Sequence, residues 1–148
     1  VQQLPDLLLL LGVDAGRATG IAAAAGDWVD SDLSPLPGGN EETGSRGAWA
    51  PANAPFADVG ELGAVSGVTP DLLTLVSPFL CALPEQAPAG LNPNTLLPEQ
   101  APLLAMLAPQ QIGLAQARQL IAGRPPGGYT STVDFWRASG IGANALPS

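Results

Sequence analysis

The sequence contains no histidine, no lysine and a single cysteine, and each of these absences removes a class of function. Without His, the chain lacks the usual acid–base side chain near neutral pH and the usual base for a Ser or Cys nucleophile. The lone thiol, Cys81, cannot form an internal disulfide, and its apolar neighbours predict a buried structural residue. We therefore expect neither an enzyme nor a site for a metal that prefers nitrogen or sulfur ligands.

Positive charge and long apolar runs are also scarce. Five Arg stand against thirteen Asp and Glu, and the net charge of −8 has the wrong sign for a surface that gathers phosphates. Nucleic acid is therefore not an expected partner. The Leu-rich run that begins at Leu7 is far shorter than the roughly 20 residues that cross a bilayer. We expect the chain, as given, to be soluble.

What the sequence does contain favours helices. The 148 residues suffice for one domain or for two small subdomains, and 46% of them are hydrophobic. Ala and Leu supply most of that fraction, whereas aromatic residues make up 5%, so the β-branched and aromatic residues typical of strands are sparse. The aromatic side chains outside the segment 35–55 are expected in the core: Trp28, Phe56, Phe79, Tyr129, Phe135 and Trp136.

Helix start signals are clear in the first half. Asp14 is placed to cap a helix that reaches Val29, and Asp58 is placed to cap VGELGAV. Thr69 is a third cap, since Pro70 at the first helical position follows it, and Pro78 should bend or end that helix.

In the second half, PEQAPAG has the composition of a linker and places a subdomain boundary near residue 88. Three helices are predicted beyond it, within PEQAPLLAMLA, along GLAQARQLIAG and along STVDFWRASG. Ser131 and Asp134 have the spacing of a capping box for the last of them. Arg118 and Arg124 are expected at the surface or beside a helix C-terminus, and binding of an anion or a partner carboxylate is the alternative.

The segment GDWVDSDLSPLPGGNEE crowds five carboxylates into a predicted loop rich in Pro and Gly: Asp27, Asp30, Asp32, Glu41 and Glu42. Like charges at close range oppose one another's ionisation, so such a cluster is either splayed into water or neutralised by a cation. Ca²⁺ takes six to eight oxygen ligands, and Asp30 and Asp32 with Glu41 or Glu42 would supply carboxylates. A solvated acidic loop is the alternative.

The second half, from LNPNTLLPEQAPLLAML to TSTVDFWRASGIG, resembles a helix-hairpin-helix scaffold. DNA-binding members of that class carry a basic hairpin whose glycine amides meet phosphate. The hairpin here reads PQQIGLAQ, without a Lys and without paired glycines. The scaffold is matched, and the DNA-binding residues are not.

Three segments in order resemble the protein K family of the type II secretion system, the largest minor pseudopilins: DWVDSDLSPLPGGNEE, WAPANAPFADVGELGAVSGVTPDLLTLVSPFLCALP and LNPNTLLPE. The resemblance runs from about Leu7 to Trp136 and covers only the helical domain that is inserted in the family's pilin-like sheet. It implies a mainly α insert domain of two SAM-like or helix-hairpin-helix-like subdomains. The first implied subdomain is residues 1–88, which include the acidic loop 27–42, and the second is residues 89–148.

The same resemblance implies a structural role. The family caps the tip of the periplasmic pseudopilus together with the I-type and J-type minor pseudopilins, helps to initiate it and limits its length. It is held in the inner membrane by an N-terminal helix that this chain does not match. Calcium in the acidic loop is a family property, so the resemblance favours Ca²⁺ at that loop. A periplasmic module that contacts secreted cargo is the alternative, and a helix-hairpin-helix DNA-binding protein fits the second half alone.

Overall fold

The structure, a computed structural model, describes residues 3–30, 54–83 and 90–140. These residues form six α-helices and no strand, which confirms the mainly α prediction. The helices are α1 (Leu4–Leu10), α2 (Ala15–Val29), α3 (Pro70–Val76), α4 (Ala101–Ala105), α5 (Leu114–Ala122) and α6 (Thr132–Ala138). Short 3₁₀ helices span Val59–Ala64, Ser77–Phe79 and Pro98–Gln100.

The chain separates into two compact units, Val1–Pro88 and Ala89–Ser148. The SAM-like or helix-hairpin-helix-like identity of each subdomain stays a prediction. Within the described ranges, none of the helices combines the length and the apolar character that a bilayer crossing demands.

The core of the first unit forms around α2, which packs against α1. Asp14 caps α2 as predicted, because its carboxylate accepts hydrogen bonds from the backbone N–H groups of Gly16 and Arg17. The helix α1 was not predicted from the sequence, yet it buries Leu7 and Leu8 at 2% and 1% exposure. The other large buried side chains of this unit are Ile21, Trp28, Leu62, Val65, Leu72 and Val76.

The two other caps of this unit are also confirmed. The Thr69 hydroxyl accepts from the N–H of Leu72 at 3.3 Å, and Asp58 accepts from the N–H of Gly60 at 2.6 Å. The segment after Asp58 forms a 3₁₀ helix rather than a full α-helix. Glycine weakens an α-helix by about 1 kcal/mol relative to alanine, and Gly60 and Gly63 both fall in these six residues.

The prediction that Cys81 is buried is wrong, since this residue is exposed. The helix α3 ends at Val76, the 3₁₀ helix through Pro78 follows, and Leu80 is extended. Leu80 still packs against the core, whereas Cys81 is exposed beside it and Leu83 is 39% exposed.

A tight turn joins this core to α3. Gly67 has a φ of +85°, a left-handed conformation that L side chains rarely adopt. Arg17 of α2 donates to the Gly67 carbonyl at 3.1 Å and to the Thr69 hydroxyl at 3.4 Å. A Cβ at position 67 would lie 3.1 Å from Cγ1 of Ile21, so the turn also lies close against the core.

We expect Gly67→Ala to lower the free energy of unfolding by roughly 1–3 kcal/mol, because the new side chain meets both backbone strain and Ile21. Gly20→Ala is the matched control, since nothing lies within 4 Å of its added Cβ inside α2. That control should be neutral or stabilising by about 0.5–1 kcal/mol. Urea unfolding of both variants checks the prediction, and equal effects of the two would contradict it.

In the second unit, two prolines divide the predicted first helix. Pro98 opens a 3₁₀ helix, and Pro102 lies in the first turn of α4, where a missing N–H leaves no helical bond unmade. Gly123 ends α5 as predicted. The side chains that form this core are Leu96, Ala101, Leu104, Ala105, Ala108, Ile112, Ala117, Ile121, Phe135 and Trp136.

Of the two hydrogen bonds in the capping box predicted for α6, the structure shows the one made by the Ser131 side chain. The Ser131 hydroxyl accepts from the N–H of Asp134 at 3.1 Å, as a cap should. The carboxylate of Asp134 is shorter than the usual Glu, and it instead accepts from the Thr130 hydroxyl and lies 3.4 Å from Arg137.

Asn94 connects the 92–97 turn to the segment between α5 and α6. Its Nδ2 donates to the Tyr129 carbonyl at 2.9 Å, and its Oδ1 accepts from the Tyr129 N–H at 2.7 Å. The Tyr129 hydroxyl in turn donates to the carbonyl of Leu120 in α5 at 3.0 Å. Arg124 is half-buried and donates to the carbonyls of Pro93 and Leu96 at 2.9 and 3.3 Å. Arg124 follows the C-cap Gly123 of α5, beside a helix C-terminus as expected, and its contacts stabilise the 92–97 turn, which the sequence did not predict.

Candidate functional site

The acidic segment begins inside a helix and not in a loop. The helix α2 continues through Val29, as the helix predicted from Asp14 does, so the overlapping prediction of a loop that starts at Asp27 is wrong for residues 27–29. The apolar pattern of Ala24, Ala25 and Trp28 keeps this turn helical and directs it into the core. As a result the Asp27 side chain is 1% exposed, and Asp30 becomes the C-cap, with its N–H bonded to the Gly26 carbonyl at 3.0 Å.

The structure thus places two of the five predicted ligands, Asp27 and Asp30, at the C-terminal end of α2. The other three, Asp32, Glu41 and Glu42, lie outside the described residues, as does Trp49. Within the described ranges, no group of three or more His, Cys, Asp or Glu side chains is placed to hold a metal ion.

Two carboxylates thus lie at a helix C-terminus, which carries a partial negative charge of its own. Carboxylate oxygens are the ligands that Ca²⁺ takes in proteins. Calcium at this helix end stays a prediction.

An aromatic stack lies beside this helix end. The rings of Trp28 and Phe56 are nearly parallel, at 4°, with their centroids 6.0 Å apart. Trp28 is 8% exposed, and its Nε1 has no hydrogen-bond partner among the described residues. The aromatic pattern predicted both rings in the core, but it held no signal for their pairing. The stack fixes the chain near residue 56 against the end of α2.

The second unit contains two packed helices at the place where the sequence predicts a helix-hairpin-helix scaffold, and that scaffold stays a prediction. The helices α4 and α5 pack together, and residues 106–113 connect them. This connection has no basic side chain, and Arg118 lies further along α5 on the exposed surface. The connection lacks the cationic residues that hold phosphate, so absence of DNA binding stays our prediction.

A cavity of about 320 Å³ lies where α5 and α6 end. It is lined by Gln116, Gln119, Leu120, Gly123, Tyr129, Ala138 and Ser139. None of these side chains is charged. Sequence reasoning missed this cavity, because its lining comes from two helices and a turn that no short motif connects.

Comparisons with known proteins cover both units. A family model described as type II secretion system (T2SS), protein K matches residues 1–85, and a second model with the same description matches residues 91–148. A type II secretion system protein K from Dickeya chrysanthemi is 38% identical over 146 residues, which are 99% of this chain and 39% of the relative. One from Klebsiella pneumoniae is 37% identical over 132 residues, 87% of this chain and 40% of the relative.

The fold also matches a solved structure, the GspK-GspI-GspJ complex from the type 2 secretion system of enterotoxigenic Escherichia coli. The match has a TM-score of 0.78 at 32% identity, and it covers 91% of this chain and 47% of the solved chain. This chain therefore spans about two fifths of the length of the curated relatives. Because the family models match nearly the whole sequence and the fold agrees, the chain belongs to the type II secretion system protein K family.

Proposed function

We propose that this chain is the helical domain of a minor pseudopilin that caps the tip of the type II secretion pseudopilus. In this role it helps to initiate the pseudopilus and limits its length. The observation that carries the proposal is the structural match to a protein solved as a complex with GspI and GspJ. The partners of the parent protein are then its own I-type and J-type minor pseudopilins.

The composition supports a structural role in this assembly. The sequence has no His and a single Cys, and that Cys is exposed on the apolar 77–83 segment. The domain belongs to the periplasmic part of a protein anchored in the inner membrane of a Gram-negative bacterium. The cargo-binding alternative is distinguished by retention of secreted proteins on the immobilised chain, which the capping role does not require.

Co-elution tests the proposed assembly. The periplasmic part of the parent protein, mixed with the periplasmic parts of its I-type and J-type partners, should elute from size exclusion as one complex. The I-type and J-type proteins without the parent protein serve as the control for their own association. Separate elution of the parent protein at micromolar concentration would contradict the proposal.

We propose further that Ca²⁺ binds at the acidic end of α2, with ligands drawn from Asp27, Asp30, Asp32, Glu41 and Glu42. Two observations support this site. Asp27 lies in the last turn of α2 and Asp30 is its C-cap, at the electronegative end of the helix, and the sequence holds no set of nitrogen or sulfur ligands for a softer metal. When bound, the ion would supply the positive charge that offsets this concentration of carboxylates.

Calcium should accordingly stabilise the chain. At free Ca²⁺ about 100 times the dissociation constant, we expect a gain of roughly 2.7 kcal/mol in the free energy of unfolding. Asp30→Asn with Asp32→Asn should remove most of that gain. The control, Asp71→Asn with Glu99→Gln, removes the same two charges elsewhere and should retain it. Calorimetric titration without heat, together with a melting temperature that chelator leaves unchanged, would contradict the site.

A further inference from the structure

We draw no further inference here: the strongest candidate, the exposed apolar surface of the first unit at Leu75, Cys81 and Leu83, carries none, because nothing in the described part of the chain shows what covers it.

Discussion

Trp28→Ala is expected to lower the free energy of unfolding by about 3–5 kcal/mol, the range observed when a buried Trp or Phe is truncated. Trp28 lies in the last two turns of α2, is 8% exposed and belongs to the main apolar cluster of the first unit. Its ring also supports Phe56 through the nearly parallel stack. Truncation therefore leaves a large cavity and also releases a segment that no helix holds in place.

Trp28→Phe separates these contributions. A Phe at this position keeps a ring opposite Phe56, and no hydrogen bond among the described residues is lost, because Trp28 Nε1 has no partner there. We expect a clearly smaller destabilisation than for Trp28→Ala. Guanidinium unfolding followed by far-ultraviolet circular dichroism measures both variants without relying on the deleted fluorophore. If Trp28→Ala lowered the free energy of unfolding by less than about 1 kcal/mol, the packing of Trp28 would be contradicted, because such a loss is typical of surface substitutions and small repacking.

Asn94→Ala should produce the second large effect, a loss of roughly 2–4 kcal/mol. The amide of Asn94 satisfies both backbone groups of Tyr129, at 2.9 and 2.7 Å, in a half-buried environment. Removing the amide leaves the Tyr129 N–H and carbonyl without these partners, and each such group costs about 1–3 kcal/mol when it is shielded from water. The Tyr129 ring, which contacts Phe135 edge to face, would lose its support as well.

Asn92→Ala is the control for Asn94. Asn92 is exposed, and its Oδ1 accepts only a local bond from the Asn94 N–H at 2.9 Å, so its loss should cost about 0.5–1 kcal/mol. Hydrogen exchange adds a local measurement, since the Tyr129 amide should exchange much faster in Asn94→Ala than in Asn92→Ala. Similar destabilisation and similar exchange in the two variants would contradict the prediction, because they would show that the Asn94–Tyr129 hydrogen bonds stabilise the unit no more than a local bond does.

Features determined by neighbouring residues could be predicted from the sequence. Asp14, Thr69 and Ser131 each accept a hydrogen bond from an N–H at most three residues away, so the start of a helix is determined within one turn. The resemblance to the protein K family rests on similarly local segments. The fold class and the family could therefore be inferred from the amino-acid sequence alone.

Features determined by distant residues could not be predicted. Asn94 and Tyr129 are 35 positions apart, and Arg17 and Gly67 are 50 apart, so no motif connects them. The exposure of Cys81 follows from where α3 ends, and sequence composition around the thiol indicated the opposite. The acidic pattern placed Asp27 in a loop although the helix pattern from Asp14 reached Val29, and burial of Asp27 against the core favours the helix. In each case tertiary packing decided the outcome.

We propose that this domain belongs to a pseudopilin that limits the pseudopilus from its tip. The decisive measurement is the length distribution of pseudopili, taken by electron microscopy in cells whose parent protein lacks the residues of this chain. Membrane insertion of the shortened protein, verified by fractionation, and restoration by the intact protein are the controls. We expect longer pseudopili when the domain is absent, because a bulky domain no longer obstructs addition at the tip. An unchanged length distribution, with the shortened protein correctly inserted, would contradict it.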